Sequence, residues 1–381
     1  MGNIHPTLIL LAGAVAVSVL PGVLRQVAFI GAPLLAILSV LGMASGTTWV
    51  YSFLGYNLIP LQADATSLVF ALIFSMVAFL GALYALHLKH RGEQVAALLY
   101  AAGSLGVVFA GDWLTLFFNW ELMSITSVFL IWYRGRKESL KAGFRYLLIH
   151  FIGGNLMLFG MLLLIAGGTP AVGHLTQASG AAFWLVLLAV AINAAIPPLH
   201  AWLTDAYPEG TITGSVFLSA FTTKVAVYVL VRVFPGTELL LWAGVIMSLY
   251  GIIYAILENN IRRLLAYHIV SQVGYMVAGV GMGTYLALNG SIAHAFSHIL
   301  YKSLLFMGAG AVIYATGREK LTELGGIGRA MPWTAIFFAI AALSIAGAPP
   351  FNGFTSKSII VTAAAEGGFK AADFFLTLAS V

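Results

Sequence analysis

The chain has 381 residues, of which 61% are hydrophobic and only 8% are charged. A water-soluble globule needs far more charge than this at its surface, so the composition excludes one and indicates a polytopic membrane protein. The net charge of +5 is therefore no evidence for nucleic acid as a partner. The complete lack of Cys excludes disulfides, thiolate zinc sites and cysteine-ligated iron–sulfur clusters. We predict no cofactor and no metal.

Apolar runs of membrane-spanning length follow one another along the chain. Residues 1–26 lack the positive start and the cleavage site of a signal peptide, which predicts a retained first helix. The sequence predicts an all-α fold with about 12 to 13 transmembrane helices. Because the chain stops inside an apolar stretch, we expect a fragment of a longer protein. The predicted spans are 4–20, 27–45, 65–88, 94–110, 113–133, 143–167, 181–207, 213–234, 239–257, 262–283, 286–315 and 331–365, with another beginning near 370.

Two of these spans, the seventh and the twelfth, contain a double proline, Pro197-Pro198 and Pro349-Pro350. Proline removes N–H donors and frees carbonyls, which a membrane helix tolerates only where protein or a water-filled cavity covers the break. Paired broken helices in corresponding halves of a chain indicate an ion path near the bilayer midplane. Aligning the proline pairs also aligns Asp205 with Lys357, which favours a weak internal repeat, although any proline-broken helix flanked by aromatic residues looks similar.

The basic residues concentrate in one set of connections between spans. The connections at 46–60 and 167–180 carry no Lys or Arg. The positive-inside rule then predicts an N-terminus outside the cytoplasm, although Arg232 and Lys370 are exceptions and two of the basic pairs fit only if a short span is miscounted. We expect the membrane to be a bacterial or archaeal cytoplasmic (inner) membrane. The basic connections contain Arg25, Lys89, Arg91, Arg134, Arg136, Lys137, Lys141, Arg262, Arg263, Arg318, Lys320 and Arg329.

Several ionisable side chains fall inside predicted spans. A charge at the bilayer centre costs about 2.5 to 3.5 kcal/mol even on the lenient insertion scale, so each of them needs a reason. The spacing of four residues in the eleventh span places three of them on one helical face. They are Glu121, Lys224, His294, His298, Lys302 and Lys357.

These residues allow more than one interpretation. Glu121 is either a titrating relay group or half of a structural ion pair. His294 and His298 are relay groups, core histidines or a metal pair, Lys357 could reach the interface from a helix end, and His268 is equally open. A row of Lys and His can exchange protons through water, since each protonation alters the proton affinity of the next group. This favours a proton relay.

Several motifs in this order resemble the proton-conducting membrane transporter family: the antiporter-like subunits of respiratory complex I, membrane-bound hydrogenases and Mrp-type sodium/proton antiporters. The resemblance covers residue 60 to the end. The residues Phe351-Asn352-Gly353-Phe354 and Lys357 lean toward the branch that contains the D subunit of Mrp antiporters. The motifs are Asn119 through Met123, Pro198 through Ala206, Thr223 through Tyr228, Arg262 through Tyr267 with Ser271 through Tyr275, His294 through Lys302, and Pro349 through Lys357.

The resemblance implies a fold of fourteen helices with two inverted five-helix repeats around a central hydrophilic axis. It divides the chain into N-terminal helices at 1–92, a first repeat at 93–235 and a second, incomplete repeat at 236–381. By position it assigns a proton relay to Glu121, Lys224, His298, Lys302 and Lys357, and adds Arg145 on the sixth helix. We predict that His294 belongs to the same relay and that the polar axis also includes Asn193, Asp205 and His268.

Two positions depart from the family pattern. Members place a lysine just before the seventh-helix break, where this chain has Asn193. Either Arg145, His150 or Lys224 replaces that lysine, or this part of the path is altered. The position of His268 is commonly Ser in relatives, which leaves its role open.

These features support three functional hypotheses. The first is a subunit that conducts protons, with or without exchange for sodium, alongside other membrane subunits. The second is the same module in a proton-pumping NADH:quinone oxidoreductase-like or hydrogenase complex, where it contributes pumping and no redox site of its own. The third is a membrane scaffold that has lost conduction, which Asn193 keeps open.

Overall fold

The computed structural model describes residues 4–88 and 90–380, and forms two compact units, Met1–Asn193 and Ala194–Val381. Lys89, counted above among the basic residues, lies outside the described residues, as do residues 1–3 of the first predicted segment and Val381 at the end of the last one. The predicted domain boundaries at 92/93 and 235/236 stay predictions.

Unit 1 contains seven described helices and one β-hairpin. Helix starts follow local chemistry: Asp64 and Ser67 form a reciprocal capping box, and the Asp112 carboxylate accepts from the Thr115 N–H at 2.9 Å. The elements are α1 (Pro6–Val19), α2 (Gly22–Leu41), β1 (Thr48–Phe53), β2 (Tyr56–Gln62), α3 (Ala65–Tyr84), α4 (Arg91–Phe109), α5 (Trp113–Trp132), α6 (Lys137–Ala166) and α7 (Ala181–Asn193).

The hairpin of β1 and β2 occupies a connection for which the sequence analysis predicts no structure. Its two antiparallel strands turn at Leu54 and Gly55, both at positive φ. The aromatic residues Tyr51, Phe53 and Tyr56 are exposed there. β-branched and aromatic residues around the turn are compatible with strands, but this stretch has no apolar run of membrane-spanning length.

The regular elements among the described residues of unit 2 are helices, apart from an isolated bridge between Asn260 and Lys320. Its α12 begins at a side-chain cap, since the Asn260 amide oxygen accepts from the Arg262 and Arg263 N–H groups. The helices are α8 (Ala201–Ala206), α9 (Gly214–Ala220), α10 (Thr222–Val233), α11 (Glu238–Leu257), α12 (Ile261–Met282), α13 (Tyr285–Thr316), α14 (Ile327–Ala330), α15 (Pro332–Ala346), α16 (Asn352–Glu366) and α17 (Lys370–Ser380).

Both double prolines interrupt helices, as predicted. α7 ends at Asn193 and the chain becomes α-helical again at Ala201, while α15 ends at Ala346 and α16 begins at Asn352. Both Pro–Pro bonds are cis. A third interruption lies at Phe221, between α9 and α10. The predicted eighth span corresponds to Gly214–Val233, and the interruption inside it was not predicted, because no Pro or Gly marks it.

Within residues 4–88 and 90–380, nine helices are long and apolar enough to cross a membrane. Shorter apolar helices at Pro6–Val19, Ala181–Asn193 and Pro332–Ala346 add to them. The predicted all-α polytopic membrane fold is confirmed, with the hairpin as an addition. The predicted number of helices stays a prediction.

Candidate functional site

A stripe of polar residues joins α5 and α6 in unit 1. The hydroxyls of Ser127 and Tyr146 lie 2.8 Å apart at one end. At the other end the Glu121 carboxylate faces Gly154, where a Cβ would collide with it. Glycine leaves the space that the carboxylate occupies. We call the set Glu121, Ser124 and Ser127 on α5 with Tyr146, His150 and Gly154 on α6 the polar file.

Glu121 is the acidic member of the polar file. The residue is half-buried, and its Oε1 is buried without a hydrogen-bond partner among the side chains and backbone groups of the described segments. A buried carboxylate oxygen without a donor is energetically costly. The role of Glu121 as a titrating group stays a prediction.

His150 is the basic residue buried in the polar file. It is 1% exposed, its ring lies 4.1 Å from that of Tyr146, and it interacts with the side chain of Asn193 at the end of α7. Arg145, in contrast, is exposed on α6. Of the substitutes proposed for the missing lysine, His150 is therefore the one that meets Asn193 inside unit 1.

Lys224 lies at the unpredicted helix break in unit 2. It is fully buried, and its Nζ donates to the Ser219 carbonyl at 2.5 Å. The Lys224 N–H bonds to the Phe221 carbonyl three residues back, at 2.9 Å, instead of following the four-residue helical pattern. The break thus turns a backbone carbonyl toward the ammonium group.

The three predicted residues of α13 share one buried face. His294, His298 and Lys302 are each 0% exposed. The two imidazole rings lie 6.2 Å apart, and His294 Nδ1 pairs with the Ser356 hydroxyl at 2.9 Å. Neither nitrogen of His298, nor Lys302 Nζ, has a hydrogen-bond partner within the part of the chain that is described. We call these three, with Lys224 and Lys357, the basic row.

Lys357 on α16 repeats the arrangement found at Lys224. Its Nζ donates to the Ile345 carbonyl at 2.7 Å, one residue before α15 ends at the second double proline. It also lies 5.3 Å from the centre of the Tyr275 ring, a cation–π distance. A cavity of about 320 Å³ opens onto Lys357, with Phe354 and Ser358 among its walls.

Electrostatic interactions connect the basic row. His298 lies within range of the charges of Lys224, Lys302 and Lys357, and of His294. In a medium of low dielectric constant, like charges at such range repel strongly, which disfavours protonation of every site in the row at once. A proton added at one position therefore weakens the hold of its neighbours on theirs.

The structure also adds polar residues that sequence reasoning missed. Ser356 fixes His294, Tyr275 packs its ring 5.8 Å from that of His294, and Tyr301 lies 3.4 Å from Gln272. Ser356 and Tyr275 lie within motifs quoted for the resemblance, so their positions were available while their contacts were not.

His268 and Asp205 are the remaining predicted axis residues of unit 2. His268 is half-buried and within electrostatic range of Lys302 and Lys357, and its Nδ1 has no hydrogen-bond partner in the described chain. Asp205 is half-buried in α8. Their participation in a relay stays a prediction.

The comparisons with known proteins identify the family and the fold. Residues 110–381 match the model of the family described as NADH:quinone oxidoreductase/Mrp antiporter, transmembrane. This chain belongs to that family. It is an integral membrane protein with an antiporter-like fold, as the resemblance implied.

Named relatives come from both branches of the family. The chain is 34% identical to the D subunit of a Na⁺/H⁺ antiporter from Alkalihalophilus pseudofirmus, over 69% of this chain and 57% of that protein. It is 35% identical to the N subunit of an NADH-quinone oxidoreductase from Desulforudis audaxviator, over 74% of this chain and 60% of that protein. The chain thus spans less than two thirds of the length of these two relatives.

A solved structure gives the same result for the fold. A chain of the Mrp complex from Dietzia sp. superposes with a TM-score of 0.88 at 27% identity, covering 99% of this chain and 77% of that one. The predicted fold class and family resemblance are therefore confirmed.

Proposed function

We propose that this chain is a proton-translocating subunit of a multisubunit membrane complex. The observation that carries the proposal is the basic row, a set of buried Lys and His side chains on neighbouring helices of unit 2, within electrostatic range of one another. Such charges are expensive in a membrane and mark ion pathways when they occur.

The row supports stepwise transfer for a specific reason. Lys224 and Lys357 each rest on a carbonyl beside a helix interruption, so each ammonium has a resting partner that does not compete for its proton. Because mutual repulsion limits how many protons the row holds, arrival of one proton favours departure of another. Water molecules between the side chains would complete the transfer.

Glu121 is the second element of the proposal. His150 lies one helical turn before Gly154, the residue that Glu121 faces, and we infer that Glu121 and His150 together stand in for the glutamate–lysine pair of relatives. Protonation of Glu121 removes its charge, and so changes the charge balance of the polar file. We infer that this pair controls entry of the proton.

The partners are other membrane subunits, in line with the Mrp and NADH-quinone oxidoreductase relatives. Similarity to the D subunit of the Na⁺/H⁺ antiporter favours an antiporter complex, in which proton flux is coupled to sodium.

The alternative is a membrane-arm subunit of an NADH:quinone oxidoreductase-like or hydrogenase complex, favoured by the relative from NADH-quinone oxidoreductase. Co-purification in mild detergent separates them: flavin and iron–sulfur subunits would identify the second. The basic connections favour an N-terminus outside the cytoplasm in either complex.

Lys224→Ala tests the proposal in liposomes that contain the intact complex. Removal of the central ammonium should reduce proton flux by about 100-fold or more, the size typical of losing a positioned proton-transfer group. Flux is read from a pH-sensitive dye on imposing a sodium or proton gradient, with protein content measured in the same vesicles.

The matched control is Lys320→Ala. Lys320 is exposed and lies 3.9 Å from Glu323 at the surface, so its removal takes away the same charge far from the row. Unchanged flux in Lys224→Ala, with normal assembly, would contradict the proposal and support a scaffold. Dependence of the flux on sodium decides whether sodium is exchanged.

A further inference from the structure

A cleft on unit 1 lies outside the polar file. It runs between α4 and α5 near the end of α1, and has a volume of about 330 Å³. Val95, Ala96, Leu99 and Phe129 make its walls apolar. A cleft of this size falls within the range of small-molecule sites, at the low end.

One end of the cleft carries a positive charge. The exposed guanidinium of Arg91 donates to the Ser18 carbonyl at 2.8 Å and to the Leu20 carbonyl at 3.3 Å. Guanidinium has five N–H donors in a fork that suits phosphate oxygens, so it can hold these carbonyls and still donate outward. Tyr133 lies on the same rim.

Aromatic packing completes this end of the cleft. His90 packs its ring 4.3 Å from the Tyr133 ring. Glu93, two residues beyond Arg91, is buried at 4% exposure, so its carboxylate is not presented at the surface as the Arg91 guanidinium is. The cleft therefore joins an apolar wall to a rim that carries Arg91 and Tyr133.

The position along the helices matches a membrane interface. The rim is formed where α4 begins and where α1 and α5 end, with Arg91 and Arg134 at those helix ends. Basic residues and Tyr cluster at the cytoplasmic interface of membrane proteins, where anionic headgroups lie. An acyl chain entering from there would follow α4 and α5 toward Leu99.

We propose that this cleft binds an anionic phospholipid, with one acyl chain against Val95, Leu99 and Phe129 and the phosphate on Arg91. The combination of walls and rim selects a lipid over free phosphate, which would gain nothing from the apolar wall. It selects an anionic lipid over a zwitterionic one, whose net charge is zero. The site is separate from proton transfer and uses none of the residues of the polar file or the basic row.

Binding of phosphatidylglycerol and phosphatidylcholine with identical chains tests the proposal, by native mass spectrometry of the full chain in mild detergent. Arg91→Gln should weaken phosphatidylglycerol binding about five-fold, the effect of one basic residue at an anionic surface, and leave phosphatidylcholine binding unchanged. Leu99→Trp, which fills the apolar part and keeps Arg91, should weaken both lipids. Inorganic phosphate should not displace phosphatidylglycerol.

The control is Arg318→Gln in unit 2, which removes an exposed guanidinium that also donates to a backbone carbonyl, that of Glu323 at 3.0 Å. It should leave both lipids bound as before. Arg91→Gln also loses the hydrogen bonds to the Ser18 and Leu20 carbonyls, which could prevent folding. In that case lipid binding by Leu99→Trp alone tests the proposal. Unchanged lipid binding in Leu99→Trp overturns the proposal. So does cross-linking of the cleft to a helix of another subunit in the intact complex, with no lipid retained.

Discussion

The polar file of unit 1 and the basic row of unit 2 place charge in the membrane in different ways. The file holds one carboxylate, at Glu121, with His150 and the uncharged Asn193 nearby. The row holds Lys224, Lys302 and Lys357 with two histidines between them. A single acid can act as a switch, whereas several basic groups in mutual range can pass protons along.

The two regions also differ in how the backbone supports the charge. In the row, Lys224 and Lys357 donate to carbonyls at helix interruptions, so each break supplies an acceptor. In the file, the Glu121 carboxylate occupies space that is open only because residue 154 is a glycine. Broken helices are a way to hold cations in a membrane, because freed carbonyls carry partial negative charge. A carboxylate gains nothing from such carbonyls and needs room for water instead.

Among the substitutions that test the difference between the polar file and the basic row, Glu121→Gln should have the largest effect on coupled transport. The amide keeps the shape of the carboxylate and cannot take up and release a proton, so coupled transport in liposomes should fall by about 100-fold or more. Glu138→Gln, at an exposed position in the first turn of α6, is the control and should transport normally. Assembly, followed by co-purification, should survive in both. Loss of assembly in Glu121→Gln alone would favour a structural ion pair.

A smaller effect tests whether His150 replaces the family lysine. His150→Ala should reduce coupled transport by about 10-fold to 100-fold, because it removes the buried basic residue one helical turn before Gly154, which Glu121 faces. Adding Asn193→Lys to this variant restores the family lysine beside the vacated site and should recover part of the transport. Arg145→Ala, on the exposed side of α6, should change transport less than His150→Ala. Failure of the lysine to rescue, with Arg145→Ala as harmful as His150→Ala, would remove His150 from the switch.

Much of this arrangement could be predicted from the sequence. Apolar runs and the double prolines indicated the helices and two of their breaks, because hydrocarbon imposes length and forbids unpaired backbone groups. The spacing of His294, His298 and Lys302 indicated a shared face, since helical periodicity alone decides it. The family resemblance then supplied roles that no spacing could supply.

The rest depended on tertiary contacts. The break at Phe221 has no Pro or Gly, and it coincides with the Lys224–Ser219 hydrogen bond, a contact between a side chain and a carbonyl that sequence patterns do not encode. Arg145 and His150 are both basic residues on α6, and only packing puts the first outside and the second inside. The hairpin of β1 and β2 was not predicted, because its strands are too short and too polar to form an apolar run of membrane-spanning length.

The smallest expected effect concerns the space beside Glu121, and two adjacent glycines of α6 make a matched pair. Gly154→Ala would place a methyl group against the Glu121 carboxylate, and the side chain can shift only by leaving its position in the polar file. Gly153→Ala would meet Ile192 at 3.5 Å, an ordinary van der Waals contact. The end of a Glu side chain is flexible, so this shift should cost little stability and both variants should assemble. Transport should fall by roughly 5-fold in Gly154→Ala, where the carboxylate is displaced, and stay near normal in Gly153→Ala. Equal transport by the two variants would mean that the position of Glu121 in the polar file has no part in proton entry.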